Sequence, residues 1–147
     1  MQGVVHAAST LRGGCLCSAG SCPAASCVPR SRVPCAGAFD GSRCVGFLRY
    51  LIQVIGAEEG RPAVMHNGAP LREGFVEAFG VDPQLRRRGI GTALQQHAAW
   101  QCRNARCYQM RSRSPMTSAE NYALKIAAGY VLHPSHENDS YYFLRRL

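Results

Sequence analysis

From Arg43 onward, apolar side chains recur at every second residue or at every third to fourth; before it they do neither. Residues 43–55, rich in β-branched and aromatic side chains, predict a strand, and Ala57-Glu58-Glu59-Gly60 supplies a turn. Residues 63–66 predict a second, short strand. Residues 74–81 predict a third, closed by Asp82-Pro83, with Phe75, Glu77, Phe79 and Val81 on a bulky face and Val76, Ala78 and Gly80 on a small one. The period then lengthens. Ile90, Ala93, Leu94, Ala98, Cys102 and Ala105 share one helical stripe, with Gln95, Gln96 and Arg103 off it, which predicts a helix from Gly91 to about Asn104. Residues 107–113 alternate as a strand that Ser114-Pro115 ends. Thr117 or Ser118, with Glu120 behind, predicts the start of a second helix that Gly129 ends. Residues 130–132 and 140–147 are the last strands. This order defines a mixed α/β domain.

Residues 1–42 carry no such period. Gly, Ala, Ser, Cys and Pro dominate them, large apolar groups are too few for a core, and they read as a low-complexity, disordered segment ahead of a domain at 43–147. Cys15, Cys17, Cys22, Cys27, Cys35 and Cys44 do not repeat the close pairs of a structural zinc site, so no metal is expected. A metal cluster from His133, His136, Glu137 and Asp139 is set against an exposed connection containing Pro134.

The chain of 147 residues is long enough for one ordinary domain. No apolar run could span a membrane, because Arg49 and Gln53 interrupt the longest one, and no secretory leader is read at the start; the expectation is a soluble, cytoplasmic protein. A net charge of +8, with every basic side chain but Lys125 an arginine, favours an anionic ligand.

That charge is densest in Leu85-Arg86-Arg87-Arg88-Gly89-Ile90-Gly91-Thr92, between the third strand and the first helix. A glycine-bearing turn that feeds a helix points unpaired N–H groups and the positive end of the helix dipole outward. Gly89 and Gly91 let backbone approach a ligand, and the arginines add phosphate donors. The expected ligand is a pyrophosphate. A P-loop is excluded because no Gly-Lys-Ser/Thr follows, and a dinucleotide fingerprint because Leu94 stands where the third glycine belongs.

The loop resembles the hallmark of the GCN5-related N-acetyltransferase (GNAT) superfamily, Arg/Gln-x-x-Gly-x-Gly/Ala, matched by Arg86-x-x-Gly89-x-Gly91 after Val81-Asp82-Pro83. The segment from Ser118 to Ala128-Gly129-Tyr130 is similar to that family's second helical motif. The resemblance covers residues 43–147. It implies a mixed, mostly antiparallel sheet flanked by helices, with the family's first strand and first helices lacking and residues 1–42 in their place.

What it further implies is transfer of an acetyl group from acetyl-CoA to a primary amine of a small molecule or peptide. The pyrophosphate would sit on Arg86, Arg87, Arg88, Gly89, Ile90, Gly91 and Thr92. The pantetheine arm would pair along Phe79, Gly80 and Val81, whose backbone polarises the thioester. Asn121 or Ser118 would hold the arm. Glu77, two residues before Phe79, is the candidate base, against a surface salt bridge. The family's usual tyrosine acid is replaced by Lys125, and Tyr122, one helical turn earlier, is the candidate acid, against packing. Trp100 and Tyr108 are expected to pack. Arg111 and Arg113 either meet the 3′-phosphate or end a solvated strand. The alternative function is a non-catalytic acyl-CoA-binding module. Nucleic acid is not an expected partner, since no recognised nucleic-acid motif is present. A monomer or homodimer is expected, with the terminal Tyr-Tyr-Phe-Leu strand as a pairing edge.

Overall fold

A computed structural model describes residues 33–57, 60–135 and 139–147, together with the backbone of residues 6–9. The elements run β1 (His6–Ser9), β2 (Cys35–Asp40), β3 (Arg43–Val54), β4 (Met65–His66), β5 (Ala69–Pro70), β6 (Arg72–Val81), α1 (Ile90–Asn104), β7 (Gln109–Pro115), α2 (Ala119–Ala127), β8 (Val131–Pro134) and β9 (Ser140–Arg146). A one-turn 3-10 helix, Pro83–Leu85, joins β6 to the loop before α1, started by the Asp82 carboxylate accepting from Gln84 N–H. Seven strands form one sheet in the order β1-β2-β3-β6-β7-β9-β8. Every neighbouring pair is antiparallel except β6 and β7, which are parallel and joined through α1. β4 and β5 form a separate small hairpin.

α1 buries Ile90, Leu94, Ala98, Ala99 and Cys102 against Val45, Leu48, Tyr50, Val76 and Met110 of the sheet. The helix comes close enough that a Cβ on Gly74 would stand 2.4 Å from Cys102 Sγ. No helix among the described residues is long and apolar enough to cross a membrane.

Several expectations are corrected. Ordered chain does not begin at Arg43: β2 forms a hairpin with β3 and contributes Ala36 and Ala38 to the core, 1% and 0% exposed. Small apolar side chains suffice there because β2 lies beside β3 under α1. A first strand, β1, lies at the sheet edge. Most of residues 1–32 lies outside the described residues, as do His136 and Glu137. β7 continues through Ser114-Pro115, paired to Tyr141 and Ser140 of β9. The terminal strand β9 is no edge, since β7 and β8 flank it. Gln95 is buried, its side-chain carbonyl accepting from Tyr130 O–H at 2.9 Å. Trp100 and Tyr108, expected to pack, are 54% and 43% exposed.

Candidate acyl-donor site

The site is made where β6 and β7 part. They pair from Glu73 with Gln109 to Val76 with Ser112 and no further, while β6 continues to Val81 on β3 and β7 continues to Pro115 on β9. Beyond Val76 the β7-facing edge of β6 is therefore open. A bulge sits at the parting point, because Tyr50 faces Val76 whereas its neighbour Arg49 faces Ala78, leaving Glu77 as the extra residue.

The bulge reverses the alternation. Phe75 lies against the Arg111 guanidinium on the face away from the helices, and Glu77 pairs with Arg49 at 3.0 Å. The Phe79 ring instead reaches the helical side, where a Cβ on Gly91 would stand 3.1 Å from it. The expectation that Phe75, Glu77 and Phe79 share one face is thus corrected: one inserted residue puts Phe79 and the Glu77 carboxylate on opposite sides of the sheet.

At its far end β6 delivers the chain into the basic loop. Gly89, the N-cap of α1, has φ 80°, and a Cβ placed on it would meet no atom within 4 Å, so its requirement is conformational. No side chain caps the helix, and its first backbone bond runs from Ala93 N–H to Gly89 C=O at 3.0 Å. The N–H groups of Ile90, Gly91 and Thr92 thus have no intrahelical acceptor, which leaves an anion site. Gly91 has another role than close approach to a ligand: its missing Cβ makes room for Leu124 of α2 and for Phe79, each of which would stand 3.1 Å from a Cβ placed there. Arg87 and Arg88 are exposed, whereas Arg86 bonds Glu120 of α2 at 3.0 Å.

α2 closes the opposite wall. Lys125 is 1% exposed and lies over the Phe143 ring at 4.7 Å; its ammonium donates to Ser112 Oγ at 2.7 Å and to Ser114 Oγ. Burial pushes its pKa down to about 8. Asn121 donates to Ser114 Oγ at 3.0 Å, while its buried side-chain oxygen has no hydrogen-bond partner. Tyr122 O–H donates to the Pro115 carbonyl at 2.9 Å, and its ring meets Phe143 edge-on at 4.9 Å. Desolvation, followed by the neighbouring Tyr141, raises its pKa. Tyr122, the candidate acid, thus spends its proton on a carbonyl, and Lys125, which was not weighed as acid, is the group at the mouth of the parted strands.

Glu73 carries no signal of this kind in the sequence and was not among the candidate residues. Its carboxylate is 0% exposed and takes bonds from Arg111 Nε and Nη2, Gln53 Nε2 and Gln109 Nε2 at 2.8–3.2 Å. The Arg111 guanidinium is sandwiched between Phe75 and Tyr142 at 5.0 and 4.9 Å. Arg111 is thus a structural cation on the face away from the helices rather than a solvated strand end. The only hint in the sequence is a second acidic position four residues before Glu77 in the same strand. On that face a cleft of about 390 Å³ opens beside Arg111, lined also by Ile55, Val64, His133, Tyr142 and Leu144. Among the described residues no cluster of His, Cys, Asp and Glu is arranged to hold a metal.

An uncapped helix start thus stands beside an open strand edge. The family model described as the acetyltransferase (GNAT) family matches residues 24–126. The chain belongs to the GNAT acetyltransferase family. No curated protein matches the sequence. Among solved structures it is similar to Arabidopsis thaliana NAA60 in complex with a bisubstrate analogue, at TM-score 0.65 and 16% identity over 80% of this chain and 78% of that one. It is also similar to the GNAT domain of S. lividans PAT, at TM-score 0.64 and 23% identity over 78% and 61%. A third is the PaiA N-acetyltransferase of Thermoplasma acidophilum in complex with coenzyme A, at TM-score 0.60 and 12% identity over 77% and 60%. At these identities the likeness establishes a shared fold.

Proposed function

We propose that the protein is an N-acetyltransferase that moves an acetyl group from acetyl-CoA to the primary amine of a small molecule or peptide. The observation that carries this reading is the placement of the open β6 edge directly before the uncapped start of α1. One ligand with an amide-bearing arm and a pyrophosphate satisfies both. The residues fit that donor: the N–H groups of Ile90, Gly91 and Thr92 take the pyrophosphate, with Arg87 and Arg88 outside the Arg86–Glu120 bond to add charge. The partnerless oxygen of Asn121 accepts an amide N–H of the arm, and the edge at Phe79 to Val81 pairs with it as another strand would.

Chemistry then falls at the parting of β6 and β7. Backbone N–H at Phe79 or Gly80 polarises the thioester carbonyl. Glu77 lies on the other face of the sheet, beside the bulge, so an amine arriving from that face meets its carboxylate as base, with Arg49 holding the side chain in place. Lys125 supplies a proton and positive charge to the leaving thiolate; hydroxyls rather than a carboxylate hold its ammonium, and its pKa is about 8. Tyr122 forms the wall behind it. In the related NAA60 structure a bisubstrate analogue is bound, which supports an acceptor and donor meeting within this fold.

The test is release of free thiol from acetyl-CoA in the presence of amines and short peptides. Turnover that falls about 10²- to 10⁴-fold in Glu77→Gln, with acetyl-CoA binding unchanged, is the expected result. Binding without turnover for any amine would favour the non-catalytic acyl-CoA-binding module.

A further inference from the structure

The fold gathers a second cationic surface at the end of the molecule away from the loop. α1 carries the chain about 22 Å from Gly89 to its C-terminus. There Arg103 stands in the last helical turn, Arg106 follows in the left-handed conformation at φ 58°, Arg72 opens β6 and Arg146 ends β9; all four are exposed. Backbone and side-chain bonds hold them together. Tyr108 N–H donates to Arg72 C=O at 2.8 Å, Leu147 N–H donates to Tyr108 C=O at 3.0 Å, and Arg72 Nη1 donates to Ala105 C=O at 3.4 Å. Arg106 N–H donates to Arg103 C=O at 2.8 Å.

None of the four arginines makes an ion pair among the described residues. The described ion pairs join Arg43 to Asp82, Arg49 to Glu77, Arg86 to Glu120 and Arg111 to Glu73, and none includes these four arginines. Glu73, next in sequence to Arg72, is fully buried and already takes bonds from three side chains. The negative end of the α1 dipole, about half a charge, offsets less than one arginine.

Two aromatic faces accompany the charge. Tyr108 is 43% exposed with the Arg146 guanidinium over its ring at 5.4 Å, and Trp100, 54% exposed, lies one helical turn before Arg103. A single-stranded nucleic acid uses both, phosphates on guanidinium groups and bases stacked on aromatic faces.

We propose that the pole formed by Arg72, Arg103, Arg106 and Arg146 with Tyr108 and Trp100 binds single-stranded nucleic acid. This site is independent of the acyl-donor reading. It runs against the expectation of no nucleic-acid partner, which weighed Arg86 to Arg88, Arg103, Arg106, Arg111 and Arg113 as one basic stretch. The fold divides that stretch, sending Arg86 to Arg88 to the opposite end and Arg111 to Glu73, and brings Arg72 and Arg146 in from distant segments.

Trp100 is the only tryptophan of the chain, so its fluorescence reports the pole directly. Titration of the full chain with an unlabelled ten-nucleotide oligouridylate should quench it saturably. The logarithm of the association constant should fall with that of salt at a slope of about −3, for four neutralised phosphates on a single strand. Arg103→Gln with Arg106→Gln should flatten the slope by about half, and Tyr108→Leu should weaken binding about 5- to 100-fold. Thermal stabilisation by acetyl-CoA, measured in parallel, should be unchanged in these variants, which separates loss of the pole from loss of fold or of the donor site. Absence of quenching, equal quenching by poly-glutamate, or binding abolished by Arg87→Gln with Arg88→Gln but not by the pole variants would overturn the proposal.

Discussion

Lys125 offers the sharpest physical test of the site. Its pKa stands near 8 in the fold against 10.5 in water, because burial disfavours the ammonium and no carboxylate compensates it. Below about pH 8 both folded and unfolded chains hold the proton, and the fold bears the whole cost of the buried charge. Between about 8 and 10.5 the folded chain releases the proton while the unfolded chain keeps it, so stability rises with pH. The separation of the two values corresponds to about 3 kcal/mol. Lys125→Met keeps most of the stem volume and removes the titration. Tyr50 and Tyr130, whose burial raises their pKa values, and Cys102, whose hydrogen bond with Cys107 and then its burial raise its own, push stability the opposite way at high pH, but they do so in both proteins. The assay is urea unfolding at steps from pH 7 to 10.5, with the free energy extrapolated to water. The parent should gain about 3 kcal/mol on the variant across that range. Parallel curves would refute a desolvated ammonium at this position, and with it the argument that Lys125 is primed to give up a proton.

Two further substitutions test the frame around the site. Glu73→Ala leaves the Arg111 guanidinium buried without its carboxylate and should cost about 3–5 kcal/mol in a chemical melt; a loss under 1 kcal/mol would show the carboxylate to be dispensable. Gly74→Ala places a Cβ 2.4 Å from Cys102 Sγ and should destabilise by about 1–3 kcal/mol, and adding Cys102→Ala should cost less than the sum of the two single changes. Strict additivity would mean that the helix moves rather than the thiol.

Much of this fold was legible because local patterns and tertiary structure agree. The α1 stripe of Ile90, Leu94, Ala98 and Cys102 is the buried face, and Arg86-x-x-Gly89-x-Gly91 is the uncapped turn into it. What failed needed information from another part of the chain. β2 was missed because a strand under a closely packed helix is served by alanine and glycine, which carry no β signal. The bulge at Glu77 is visible only in the register against β3, and without it the sides of Phe79 and Glu77 are assigned wrongly. Gly91 read as a ligand contact because nothing in the sequence announces that Leu124 fills the space beside it. Glu73 and Lys125 are charged residues in buried positions, and their partners, Arg111 and the Ser112–Ser114 pair, lie on another strand.

The central claim is that the turn at Gly89 binds the pyrophosphate of acetyl-CoA while β6 binds its arm. Thermal unfolding with and without acetyl-CoA, against an acetylated pantetheine fragment that lacks the nucleotide and pyrophosphate, tests it most directly. At about 100 times the dissociation constant the full donor should add about 2.7 kcal/mol and visibly raise the midpoint, and the fragment should add much less. Gly89→Val, which cannot adopt φ 80° without strain, should keep a cooperative transition and lose the shift. An unchanged midpoint in the parent protein, or an equal shift in Gly89→Val, would contradict the account.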